Sequence, residues 1–282
     1  MNYFAAISIP FFIIILGGKW MINFLKKINF GQQIRKEGPQ SHLQKEGIPT
    51  MGGVLILFGI SISIIFFEIN YNLLIALITT LGMGLVGFLD DYLKIKRQRS
   101  LGLTAFAKII GQFGFGLIIS LYVYFSSEIS NSLIIPFTGD SLELGIFIIP
   151  LIVLTVVGTA NAVNLTDGLD GLASSITAVV AASYAFITYS FYFEQLSLFS
   201  LSVVGACLGF IWYNSHPAQV FMGDVGSLSL GGAIATLTVL SKTEIFLFII
   251  GGIFVIETLS VMIQVVYFKF TGGKRVFRMT PI

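Results

Sequence analysis

Charge is what this sequence has least of. Aspartate, glutamate, lysine and arginine make up 11% of its 282 residues, against roughly a quarter in a soluble globular domain. Hydrophobic residues make up 55%, and no soluble fold of this length has an interior large enough to hide them. The solvent for most of the surface is therefore lipid. Cysteine is nearly absent. Cys207 stands alone in an apolar run from Val203 to Phe210, so an intrachain disulfide is excluded and the residue reads as a small buried hydrophobe. Histidine is scarce too: His42 lies in a polar loop, His216 precedes Pro217, and neither has a partner at zinc-ligand spacing. There is no internal repeat, no low-complexity segment and no separate soluble domain. Residues 4–16 are apolar but lack a basic stretch before them and a small-residue cleavage site after them, so they read as part of a retained span.

What is present is a series of apolar runs long enough to cross a bilayer, which takes about 20 residues each. The candidates are 4–25, 51–69, 72–89, 106–125, 145–163, 172–192, 197–213, 226–241 and 245–268. The expected fold is an all-α polytopic membrane protein of about nine transmembrane helices, a single domain over 1–282. The joints near Asn70 and Glu194 are short enough to be helical hairpins. In the longer connection 126–144, two apolar flanks around Thr138-Gly139-Asp140-Ser141 predict a small β-hairpin.

Basic residues set the orientation. With the N-terminus outside, the loops 26–50 and 90–108 and the tail after 268 face the cytosol, and they hold fourteen of the 16 lysines and arginines. Lys242 alone falls in an outer loop and Lys19 lies within the first span. Cationic residues are retained on the cytosolic side, so the hairpin is expected in the periplasm.

This alternation places Asp90, Asp91, Asp167, Asp170 and Asp224 together on the cytosolic face, each near a helix end. Carboxylates at membrane depth are expensive and mark function by default. The adjacent pair Asp90-Asp91 calls for a cation or a shared proton, or else is a solvated helix end paired with Lys94 and Arg97. The segment Asn161 to Leu172 packs Asn161, Asn164, Asp167 and Asp170 among two glycines. It offers oxygen ligands and close backbone approach, or else a turn capped by Thr166 or Asp167. Asp224 sits between Gly223 and Gly226 before an apolar run, which suits a Mg²⁺–phosphate site or a plain cap. Phe221 stacks on a base or sugar, or else faces lipid or the core. The doubled glycine of Pro49-Thr50-Met51-Gly52-Gly53 reads as helix packing or a site loop. Lys45 before it reaches a phosphate or snorkels to the lipid surface. Glu257 and Gln264 share one face of the last span. An acidic cluster holds an anionic substrate only through a divalent cation, and oxygen ligands favour Mg²⁺. Lysines and arginines around it would hold further phosphate charge, which together is the pattern of phosphoryl transfer.

Five segments carry a resemblance. Residues 47–53, 87–94, 161–172, 217–227 and 271–281 are similar to the prokaryotic polyprenyl-phosphate N-acetylhexosamine-1-phosphate transferases. Asn164-Leu165-Thr166-Asp167-Gly168-Leu169-Asp170-Gly171-Leu172 is close to a signature of them. Pro49 to Gly53, Pro217-Ala218-Gln219-Val220-Phe221-Met222-Gly223-Asp224 and Thr271-Gly272-Gly273-Lys274-Arg275 resemble the phospho-N-acetylmuramoyl-pentapeptide branch. The resemblance implies a reaction: undecaprenyl phosphate attacks UDP-N-acetylmuramoyl-pentapeptide, UMP leaves and lipid I forms, at the cytosolic face of the bacterial inner membrane. It implies Mg²⁺ as cofactor, Asp224 as its ligand, and Asp90, Asp91, Asn164, Asp167 and Asp224 as the catalytic groove. Lys45, Thr50, Lys94, Asn161, Asp170 and Phe221 are expected to contact substrate. A homodimer, a lipid environment and no nucleic acid are implied as well. The family continues beyond Thr280-Pro281 with a histidine-rich motif and a tenth helix. The expectation is thus a chain shortened at its C-terminal end and weak in turnover. Two other readings stay open: a relative using UDP-N-acetylglucosamine, and a transporter of anionic metabolites. A transporter would place its ionisable groups near the midplane, often in repeated halves.

Overall fold

The computed structural model describes residues 3–28, 47–97, 99, 101–127 and 129–280. Among the described residues ten α-helices follow in order: α1 Tyr3–Lys27, α2 Gly53–Ile64, α3 Tyr71–Lys96, α4 Ala105–Phe125, α5 Ile148–Thr166, α6 Leu172–Ser190, α7 Glu194–Asn214, α8 Gly223–Leu240, α9 Glu244–Ile250 and α10 Gly252–Phe270. Eight of these elements are long and apolar enough to span a membrane. Two expected spans differ. The second is the 12-residue α2, apolar but short. The ninth is broken at Gly251 into α9 and α10, where Gly251 takes φ −90° and ψ 23°, away from helical ψ values.

The bundle is organised around α8, whose residues from Val225 to Leu240 are all buried. A helix can be enclosed on every side only if its neighbours approach closely, and Gly226, Gly231 and Gly232 supply that approach. A Cβ on Gly53 would stand 2.1 Å from Gly226 N, and one on Gly231 would stand 2.5 Å from Ala160 Cα. Small residues thus set helix contacts where lipid gives no hydrophobic drive between helices. The hydroxyls this helix carries inward are satisfied within it: Thr236 donates to Gly232 O and Thr238 to Ile234 O, each at 2.8 Å. Helices α2, α3, α5 and α6 pack on α8, α7 packs on α1 and α6, and α4 packs on α5. Lipid takes the rim. Phe4, Leu16 and Trp20 of α1 and Ile253, Ile256 and Met262 of α10 are exposed apolar side chains, and Phe254 and Glu257 are the buried residues of α10. Cys207 is buried, as its apolar surroundings require.

The two short joints are hairpins and they touch. Asn70 caps α3 by accepting from Leu73 N–H at 2.8 Å, and its amide reaches Gln195 at 3.4 Å across the second joint. The β-hairpin is present, with β1 Ser132–Ile134 antiparallel to β2 Ser141–Glu143 in the register Leu133 opposite Leu142. It is fastened to the end of α8 by Ile134 N–H to Lys242 O at 3.1 Å and by Lys242 Nζ to Ser130 Oγ at 2.9 Å.

Candidate active site

Four helix ends meet at the pole of the bundle opposite the β-hairpin. The last two turns of α3 bring Asp90, Asp91 and Lys94. The first turn of α4 brings Lys108, the last turn of α5 brings Asn164, and the first turn of α8 brings Asp224. Asp90 and Asp91 are each 2% exposed, so they are not a solvated helix end. Their carboxylate oxygens and one of Asp224 lie within 4.8 Å of one another. Three like charges at that separation demand cations, and two lysines supply them. Lys94 Nζ lies 2.6 Å from Asp90 Oδ2, 3.1 Å from Asp91 Oδ1 and 3.1 Å from Asp224 Oδ2. Lys108 Nζ pairs with Asp224 Oδ2 and lies 3.8 Å from Asp90 Oδ2.

Neutral donors fix the carboxylates from behind. Leu103 N–H donates to Asp90 Oδ1 at 2.8 Å, holding the backbone just before α4 against the cluster. Val225 N–H donates to Asp91 Oδ2 at 3.2 Å. The start of α8 is therefore capped by a residue of another helix, and Asp224 is left to face the cluster instead of acting as a plain cap. Asn164 Nδ2 donates to Asp224 Oδ1 at 3.0 Å and to Ser227 Oγ at 2.7 Å. The backbone comes equally close. A Cβ on Gly87 would stand 2.1 Å from Asp224 O, and Gly223 adopts φ 71° beside Thr50 Oγ1 and Asp91 Oδ2.

The remaining expected residues fall in place unevenly. Thr50 is nearly buried against Gly223. Residues 49–53 pair with the strand-like stretch before α8: Phe221 N–H to Pro49 O at 2.8 Å, Gly52 N–H to Phe221 O and Gly53 N–H to Met222 O, both at 2.9 Å. Gly52-Gly53 thus serves both readings at once, as packing surface and as the floor of the site. Asp167 closes α5 as its C-cap residue, its N–H bonding to Asn164 O, and it does not cap α6, whose N-cap is Gly171 with no side-chain hydrogen bond. Burial, and then the charges of Asp224, Asp91 and Asp170, push its carboxyl well above the usual carboxylate range. Asp170 lies at the far edge, its Oδ2 3.0 Å from His216 Nδ1 and accepting from Ala218 N–H at 3.3 Å. Asn161 turns away from the acids into the bundle, where it pairs with Gln112. Lys45 lies outside the described residues.

Three contributors were not singled out from sequence. Lys108 sits in the first turn of an apolar helix and reads there as one more basic loop residue. Ser227 looks like a helix serine. His216 lacked any sequence-near partner, because Asp170 is 46 positions away. No spacing rule finds pairs of this kind, since they are made by tertiary packing.

Comparison with known proteins gives a coherent picture. Residues 73–242 match the profile of glycosyl transferase family 4. Residues 45–57 match signature 1 of phospho-N-acetylmuramoyl-pentapeptide-transferase. Curated enzymes bearing that name resemble this chain over nearly all of it. The one from Anoxybacillus flavithermus is 49% identical over 98% of this chain and 86% of its own length. That from Bacillus subtilis is 48% identical with the same coverage. That from Halalkalibacterium halodurans is 46% identical over 97% of this chain and 85% of its own. The chain belongs to the phospho-N-acetylmuramoyl-pentapeptide-transferases of glycosyl transferase family 4. The family match runs from α3 to the end of α8 and so takes in each acid of the cluster, while the signature covers the Pro49–Gly53 floor.

Proposed function

We propose that this chain transfers phospho-N-acetylmuramoyl-pentapeptide from its UDP conjugate to undecaprenyl phosphate, releasing UMP and giving lipid I at the cytoplasmic face of a bacterial plasma membrane. The observation that carries this reading is the convergence of Asp90, Asp91 and Asp224 with Lys94 and Lys108 at one pole of an apolar bundle. A transporter would carry its ionisable groups near the midplane, and these groups all lie at helix ends. The signature at 45–57 favours the muramoyl donor over UDP-N-acetylglucosamine.

The acids suit Mg²⁺. The cluster offers carboxylate oxygens only, which hard divalent cations prefer. Asp90 Oδ2 is buried without a hydrogen bond, and its near neighbours are the ammonium groups of Lys94 and Lys108. Asp224, with Asp90 and Asp91 beside it, would hold the ion, and its chemistry there is to neutralise diphosphate charge. The protein's own residues do the rest. Lys94 and Lys108, each partly exposed beside the carboxylates, would turn to incoming phosphates. Asn164 and the Val225 N–H keep the carboxylates aimed while they do so. An oxygen of the lipid phosphate attacks the sugar-bearing phosphorus; a new P–O bond forms, the P–O bond to UMP breaks, and the electron pair leaves with UMP. A phosphate monoester is already a competent nucleophile and needs positioning more than activation. Asp167, whose carboxyl is pushed upward, and Asp170, at the outer edge, line the donor side.

The test is UMP release in detergent with undecaprenyl phosphate and either UDP-N-acetylmuramoyl-pentapeptide or UDP-N-acetylglucosamine. Release with the first and not the second is expected. Release with the second alone would move the chain to the sister branch.

A further inference from the structure

Gln112 is fully buried in an apolar helix, yet it touches none of the acids. Its amide faces Asn161 in a reciprocal pair: Asn161 Nδ2 donates to Gln112 Oε1 at 2.6 Å, and Gln112 Nε2 lies 3.4 Å from Asn161 Oδ1. Asn161 Nδ2 also donates to Val157 O at 2.8 Å. Ordinary interior satisfaction would explain the pair if it stood anywhere along the two helices. Its register says more. Gln112 lies four residues after Lys108, one turn deeper on the same face of α4. Asn161 lies three residues before Asn164, one turn deeper on the same face of α5. Lys108 and Asn164 take opposite oxygens of a single carboxylate, Oδ2 and Oδ1 of Asp224. The amide pair therefore ties the two helices together about 5 Å below the point where both grip Asp224, taking 1.5 Å of rise per residue.

We propose that Gln112 is a positioning residue that, through Asn161, sets the spacing of Lys108 and Asn164 and so fixes the direction of the Asp224 carboxylate. This rests on Asp224 lying in the active site. A glutamine bridge suits the task because both partners donate and accept, so sliding α4 along α5 breaks two contacts together. Without the bridge, α4 and α5 still pack, but Lys108 and Asn164 lose their common reference. Catalysis is sensitive to such displacements even far from the chemistry.

The experiment uses the full chain in three forms: wild type, Gln112→Leu, and the exchanged pair Gln112→Asn with Asn161→Gln, which restores an amide bridge of the same combined length. UMP release gives kcat and KM for both substrates. Mass spectrometry after brief treatment of the metal-free protein with an amine-reactive reagent gives the labelling rate of Lys108. The leucine form is expected to lose at least tenfold in kcat, to keep both KM values within about threefold, and to label Lys108 at least threefold faster. The exchanged pair is expected to recover most of both losses. Combined with Lys108→Met, Gln112→Leu is expected to cost little more than Lys108→Met alone. The proposal is overturned if the folded leucine form matches wild type in kcat and labelling, or if its cost multiplies in full onto that of Lys108→Met. If the leucine form does not fold, the exchanged pair decides: a folded exchanged pair with tenfold lower kcat and fast Lys108 labelling refutes the bridge. Wild-type protein that releases no UMP would instead refute the proposed reaction, and the labelling comparison would still stand.

Discussion

At the residue scale the site is a balance of charges that no single position reveals. Asp224 touches Lys94, Lys108 and Asn164 and is the member that a substitution isolates best. Asp224→Asn keeps the shape and the Asn164 contact but removes a charge. Turnover is expected to fall roughly a thousandfold or more, the scale for losing an ionic ligand at a transferring phosphoryl group, with the Tm of the purified protein nearly unchanged. A folded variant with near-normal turnover would remove Asp224 from the machinery. Asp167 behaves differently. Its carboxyl is held above the ordinary range by burial and by neighbouring negative charge, so ionising it costs stability. That cost is absent below the unfolded-state value and builds as pH rises through the folded-state value. Asp167→Asn is therefore expected to raise Tm at pH 8, to leave it unchanged well below the carboxylate range, and to lower turnover. A Tm at pH 8 below that of wild type contradicts this sign. The acids were legible from sequence because ionisable groups in apolar company stand out. Lys108, Ser227 and His216 were not, because a lysine after a basic loop, a serine in a helix and a histidine before proline are ordinary until packing gives each a partner.

At the element scale, the site exists because the start of α8 is wedged between α2 and α3. Gly53 meets Gly226 and Gly87 meets the Asp224 carbonyl, and in both cases the atoms in the way are backbone. Gly87→Ala thus has no flexible neighbour to displace. It is expected to push α3 from α8, to destabilise the protein by about 1–3 kcal/mol or more as overpacking does, and to reduce turnover by moving Asp90 and Asp91 relative to Asp224. Gly114→Ala, with nothing within 4 Å of the added methyl, is the matched control and should leave both unchanged. Equal effects from the two substitutions would show that helix propensity governs, not close approach. The doubled glycine at 52–53 was visible in the sequence, but its partner was not, since nothing local links Gly53 to a position 173 residues away. The break at Gly251 escaped for a related reason. The apolar run through 245–268 is continuous in composition, and only the backbone shows that Gly251 leaves the helical range at φ −90°, ψ 23°. Hydropathy counts apolar residues and does not see where a helix ends. For the same reason α2, set within a long apolar run, proved to be only 12 residues.

At the scale of the whole molecule, apolar length and the loop bias of lysine and arginine foretold a polytopic bundle, and the helices bear out its class. The orientation follows from charge alone and is open to direct trial. In intact cells a membrane-impermeant thiol reagent should label a cysteine placed at Phe137, exposed in the β-hairpin connection, and should spare one placed at Arg99. Native Cys207 is buried and gives little background. Labelling at Arg99 with protection at Phe137 would invert the topology and put the acidic pole outside, away from a cytosolic nucleotide donor. The central claim is the reaction itself. The most direct measurement follows donor labelled in the amino sugar into an organic extract while UMP is counted in the aqueous phase, with undecaprenyl phosphate and Mg²⁺ supplied to the purified chain. The account predicts one lipid-linked amino sugar for each UMP, at whatever rate the chain turns over, and no release of UDP. Label that stays aqueous, or UDP released in place of UMP, would contradict it.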